Sequence, residues 1–224
     1  MIPRLAAEAL GTAFLLAIVV GSGIMGESLA AGNKAVALLA NAIATGAGLF
    51  TLITIFGPIS GAHFNPAVTV AAAIERTLSV REAAAYIGAQ LAGAFAGVVA
   101  AHAMFGLPLL QTSAHARGTI GESLGEVIAT FGLLLVIRLS SREPLAQTAA
   151  AVALWITAAY WFTSSTSFAN PAVTFARALT DTFAGISPND VPAFVISQFI
   201  GVGLALVVVR WLAPEDRKQR SDDH

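Results

Sequence analysis

Two copies of one pentapeptide, Asn65-Pro66-Ala67-Val-Thr69 and Asn170-Pro171-Ala172-Val-Thr174, carry most of the polar chemistry this chain can offer. Asn is a strong helix N-cap, and Pro suits the first helical position because its missing N–H was unpaired there anyway. Each box therefore starts a helix, and each is followed by a short apolar run. About 11 residues at 1.5 Å rise give roughly 16 Å, half the hydrocarbon of a bilayer, so neither run spans alone. The start of such a helix offers amide hydrogens and positive potential, not nucleophilic chemistry. The other notable polar groups are Glu8 and Glu126 inside apolar runs, Gln90, Gln198, and His63 two residues before the first box. There is no Cys, no Gly-x-Ser-x-Gly and no His-Glu-x-x-His, so no catalytic constellation is present. His102, His115 and His224 are too scattered to form a metal set. No cofactor is implied.

The composition says what must position these groups. Hydrophobic residues make up 56% of the 224 and charged residues 11%, against roughly 25% charged in a soluble protein. Mean hydropathy is +0.76. The chain is an all-α polytopic membrane protein, and its net charge of -1 without a basic run argues against nucleic-acid binding. Six spans are expected: Leu5–Gly23, Ala35–Phe56, Ala83–Phe105, Ser123–Ile137, Leu145–Phe162 and Val191–Leu212. The first is too long for a signal peptide, holds Glu8, and lacks a small-residue cleavage site. With an even number of spans, Lys and Arg number nine on the side of the termini and three on the other. The positive-inside rule then places both termini in the cytoplasm. Residues 213–224 read as a solvated cytoplasmic tail, and 1–212 as one membrane domain.

The chain repeats. Glu8-Ala-Leu-Gly-Thr-Ala-Phe-Leu-Leu16 parallels Glu126-Val-Ile-Ala-Thr-Phe-Gly-Leu-Leu134, and Gln90 pairs with Gln198. Each half, about 1–110 and 120–212, reads span, span, half-helix, span. Three spans per half is odd, so the second half is inverted, which places a working site near the midplane at the repeat interface. The two half-helices enter from opposite sides and their N-termini meet. Non-helical backbone at that depth needs protein or a water-filled cavity around it, which favours a pore through each chain.

The two boxes in register with the repeat, Ser60-Gly-Ala-His-Phe-Asn-Pro66, and the paired Glu8 and Glu126 resemble the major intrinsic protein family, the aquaporins and aquaglyceroporins. The resemblance covers nearly the whole chain. It implies an aquaporin-like right-handed bundle of six spans and two re-entrant half-helices, one pore per protomer, a homotetramer in the cell (inner) membrane, and passive flow of water or small neutral solutes. Asn65 and Asn170 would point amide donors at the pore centre, where two helix dipoles repel cations and protons.

The resemblance also implies a second constriction. Its usual Arg, three residues past the second Asn, is Val173 here, and the remaining positions are Thr45, Ala158 and Ser167. Four small or medium uncharged residues would make a wide pore. A similar box with Val occurs in a bacterial subgroup associated with arsenic resistance. That likeness suggests neutral arsenous acid or methylated arsenicals beside glycerol and water.

Several residues admit two readings. Asn65 and Asn170 are either simple caps or pore donors, and the inverted repeat favours the pore. Glu8 and Glu126 form either a proton relay or acceptors for the N–H groups of their own re-entrant loops, and the symmetry favours the loops. His63 either gates by titration or packs in the vestibule, the commoner fate. Arg177 either reaches the outer vestibule or takes the cheaper course of snorkelling or pairing with Asp181. Gly93-Ala-Phe-Ala-Gly97 fits close helix packing, without specifying a subunit contact. A water-selective pore is one alternative function. A proton-coupled transporter is another, disfavoured because the Glu residues lie near the ends of their spans. A closed-pore adhesion protein is a third.

Overall fold

A computed structural model describes residues 1–212; the tail expected at 213–224 lies outside them. The regular structure of the described residues is all helix: α1 (Ile2–Leu29), α2 (Lys34–Ser60), α3 (Pro66–Ile74), α4 (Val80–Met104), α5 (Ile120–Leu139), α6 (Leu145–Phe162), α7 (Pro171–Arg177) and α8 (Val191–Leu212). Six of these are long and apolar enough to cross a membrane. Start signals account for several boundaries. Asn33 caps α2, while Ser79 and Thr119 form capping boxes with Glu82 and Glu122.

α1 packs on α2 and α4, and α5 packs on α6 and α8. The halves meet where α2 lies against α6 and where each half-helix touches the last span of both halves. Within each half the close approach uses glycine. Gly93 and Gly97 of α4 lie directly on the carbonyls of Ala9 and Ala13 in α1. Gly201 of α8 lies on the carbonyl of Val127 in α5, the repeat-related place. A methyl group at these positions would collide with backbone. The Gly93–Gly97 pattern is thus used inside the protomer.

Burial is inverted relative to a soluble protein. Leu10, Phe14, Leu154, Val207 and Trp211 are exposed, while Glu8, Thr12, Gln90, Glu126, Thr130 and Gln198 are fully buried. That pattern fits lipid outside and polar groups gathered inside; Thr130 Oγ1 and the side-chain oxygens of Gln90 and Gln198 are buried without a partner among the described residues.

Several boundaries differ from expectation. α1 runs from Ile2 to Leu29, beyond both ends of the expected span, and α2 and α5 also extend past theirs. The half-helices are shorter than expected, nine residues in α3 and seven in α7. α3 stops at Glu75, and Arg76 turns into the left-handed region at φ 59°.

Candidate pore

The site is built by two re-entrant loops that repeat each other closely. Asn65 accepts from Ala67 N at 2.8 Å, and Asn170 accepts from Ala172 N and Val173 N at 3.0 and 3.3 Å. Their side-chain oxygens are therefore spent on capping. Each amide nitrogen donates one hydrogen across to the other half. Asn65 Nδ2 reaches Ala169 O at 2.7 Å, and Asn170 Nδ2 reaches Phe64 O at 2.8 Å. A primary amide has two hydrogens, so one remains on each. Both asparagines line the same cavity.

Those carbonyls are presented by strained backbone. Ala62 and Phe64 in the first loop have φ 50° and 49°, and Ser167 and Ala169 in the second have φ 53° and 48°. The left-handed region costs a non-glycine residue about 1–2 kcal/mol. Buried carboxylates hold these turns. Glu8 accepts from His63 N and Phe64 N at 3.0 and 2.8 Å, and from Ser60 Oγ at 2.7 Å. Glu126 accepts from Phe168 N and Ala169 N at 2.8 and 2.9 Å. Gln90 and Gln198 finish each network, bridging the carboxylate to Thr69 or Thr174 with bonds of 2.6–2.9 Å. Donors converge on both carboxylates, so each acts as an acceptor with its place filled.

His63 is fixed by the same network. Thr69 Oγ1 donates to Asn65 O at 3.0 Å and accepts from Gln90. At 3.1 Å from this spent hydroxyl, His63 Nδ1 is the donor, so that in the neutral ring Nε2 is the acceptor. His63 lines the cavity with its ring edge-on to Tyr86, 5.5 Å between centroids.

The cavity runs from Arg138, Leu145 and Thr148 at one end, past the asparagines, to Thr45, Tyr160 and Arg177 at the other. Glu75 forms an ion pair with Arg138 at the first end. Thr45, Ser167 and Val173 line the far part and are 2–5% exposed. Ala158 does not. It is exposed on the outer side of α6, while Ile156 and Tyr160 face the cavity. Two residues turn about 200° around a helix, so the count back from Asn170 lands on the wrong face. Tyr160 was not visible from the motif. The four-residue rhythm of Val152, Ile156 and Tyr160, all lining residues, is the signal that marks it.

Arg177 also departs from its expected fate. It neither snorkels nor pairs with Asp181, which accepts from Ala114 N at 2.8 Å instead. Arg177 is 2% exposed and lines the cavity. Its guanidinium lies 3.4 Å from the centroid of the Phe168 ring, and its Nε donates to Ala184 O. The short α7 ends at Arg177, whose side chain is held by these two partners inside the protein.

Six spans, and two half-helices that meet N-terminus to N-terminus beside a cavity lined by both asparagines, define an α-helical membrane channel. Residues 1–150 match the family described as Major intrinsic protein. The chain is 53% identical over 209 residues to Aquaglyceroporin AqpS of Rhizobium meliloti (strain 1021), covering 93% of this chain and 89% of that one. It is 28% identical to Probable aquaporin TIP2-2 of Oryza sativa subsp. japonica over 92% of this chain and 85% of that one. The solved aquaglyceroporin of Plasmodium falciparum superposes with TM-score 0.78 at 20% identity, over 95% of this chain and 97% of that one, which shows the shared fold. This chain belongs to the major intrinsic protein family. It is a multi-pass membrane channel and not an enzyme.

Proposed function

We propose that the channel is a passive pore for glycerol-like polyols, water and neutral metalloid hydroxides such as arsenous acid. The observation that carries this reading is the reciprocal Asn65–Asn170 arrangement, which leaves one amide hydrogen on each side of a single cavity. A neutral solute accepts from both in passing. A cation meets two helix N-termini aimed at the same point. Val173 stands where the family resemblance places an Arg, which removes a fixed cation from that turn of α7. AqpS, named an aquaglyceroporin, supports the polyol part of the proposal. The metalloid part rests on the Val-containing box.

The chain works as a homotetramer in the inner membrane with both termini cytoplasmic, as the Lys and Arg distribution and the family resemblance suggest. Residues 1–212 act as one channel domain with a cytoplasmic tail at 213–224. Thr45, Ser167 and Val173 form the filter wall, and Arg177 supplies its positive potential from one turn further along. His63 acts as a vestibule residue.

One observation favours a narrower, water-selective pore: Arg177 and the Tyr160 ring both face the cavity. Coupled transport is disfavoured by the filled hydrogen-bond shells of Glu8 and Glu126. Stopped-flow swelling of proteoliposomes under inward gradients of glycerol and of arsenous acid tests the proposal. Fast entry of both supports it. Fast osmotic water flow with neither solute entering supports the water-selective reading.

A further inference from the structure

From the Thr45–Tyr160 pair we infer that Tyr160 is the specificity-determining residue at the Arg177 end of the cavity, setting solute size with its ring and recognising polyols with its hydroxyl. The inference rests on the channel reading above and names a residue outside the pattern that reading drew on.

Tyr160 OH and Thr45 Oγ1 lie 3.2 Å apart, joining α6 to α2. The spacing is held from below, because Gly46 of α2 lies directly on the side chain of Thr157 in α6. Both hydroxyl-bearing residues line the cavity. Four threonines of the spans return their hydroxyl hydrogen to the carbonyl four residues back: Thr12 to Glu8, Thr51 to Ala47, Thr54 to Phe50 and Thr157 to Ala153. Thr45 bonds Tyr160 instead. Two hydroxyls carry two hydrogens and share one bond, so the couple has one hydrogen left over beside unused lone pairs. A vicinal diol can meet a donor and an acceptor of that kind with two adjacent hydroxyls, whereas a water must meet both from one oxygen.

The ring does the second job. Thr45, Ser167 and Val173 are small or medium, so the bulky uncharged groups on this part of the wall are the Tyr160 and Phe168 rings, and the Phe168 ring is engaged by the Arg177 guanidinium. The count from the second box pointed to Ala158, which would have left the position open. The structure puts an aromatic ring there from two residues further on, with Ala158 exposed outside.

The test uses the full chain in proteoliposomes, with water, glycerol and the four-carbon polyol erythritol as probes. Tyr160→Phe keeps the ring and removes the hydroxyl. It should lower the glycerol-to-water permeability ratio by about two- to tenfold, the scale of one hydrogen bond. Thr45→Val should give a similar fall, and the double variant little more, since the two act as one unit. Tyr160→Ala should raise erythritol permeability by about tenfold or more, the scale of a size sieve. Ala158→Leu should leave the ratios unchanged. A Tyr160→Phe channel with the wild-type ratio, or one losing water and glycerol equally, overturns the inference. If the Tyr160 variants do not fold, a wild-type ratio in Thr45→Val overturns it. A wild-type channel that passes neither water nor glycerol overturns the channel reading itself.

Discussion

Asn65 and Asn170 each cap their own half-helix with the side-chain oxygen and latch the opposite loop with the side-chain nitrogen, at 2.7 Å to Ala169 O and 2.8 Å to Phe64 O. Both ends of each amide are therefore spoken for, apart from one hydrogen. The arrangement ties the two halves together beside the cavity that both asparagines line. It also makes the asparagine amide irreplaceable by a carboxylate.

Asn170→Asp tests that statement. The carboxylate can still cap, but it has no hydrogen to give Phe64 O or a solute. It also puts a negative charge where two helix N-termini meet. Measured in proteoliposomes, the variant should lose glycerol permeability and gain a cation leak. Unchanged cation exclusion would remove Asn170 from the barrier.

Val173→Arg restores a cation and five donors to the second box. With Arg177 already lining the cavity, the substitution should fill the filter and cut glycerol flux by about tenfold or more relative to water, the scale of size discrimination in a tight pocket. The readout is the ratio of glycerol to water permeability. Equal loss of both, or no change, would place Val173 outside the filter.

Glu126→Leu removes the acceptor for two buried backbone N–H groups in a strained loop. The cost is about 2–6 kcal/mol, from about 1–3 kcal/mol for each orphaned donor. Glu126→Gln keeps one acceptor and should fold with a lower melting temperature in detergent. A coupled, proton-carrying Glu126 predicts the opposite pattern, with stability retained in both variants and flux lost in Gln.

The chain has no cysteine, so mercurials have no thiol to modify. Water flow in proteoliposomes should be insensitive to mercuric chloride. Inhibition reversed by a thiol reagent would contradict this.

The fold was readable because membrane physics leaves few choices. Apolar runs of span length, an inverted repeat, and Asn-Pro helix starts too short to span together specify six spans and two half-helices. The cavity wall was less readable. Whether Ala158 or Tyr160 faces the cavity depends on the rotation of α6, which the box motif does not fix; its packing on α2, with Gly46 against Thr157, and on α5, with Gly132 against Trp155, sets it. The position of Arg177 was hidden for a different reason. Its partners are the ring of Phe168 and the carbonyl of Ala184, and neither is a charge that sequence pairing would suggest. α7 stops at Arg177, where the Ala178 N–H turns back to Phe175 O, two residues before the apolar run ends at Leu179.

The central claim is that solute moves passively and without protons. Proteoliposomes loaded with a pH-sensitive dye, exposed to an inward glycerol gradient with and without a pH gradient, measure swelling and internal pH together. The account predicts fast swelling at the same rate in both conditions, with no acidification beyond that of empty liposomes. Swelling that requires the pH gradient, or internal acidification that follows glycerol entry, would contradict it and move Glu8 and Glu126 from loop support to the transport path.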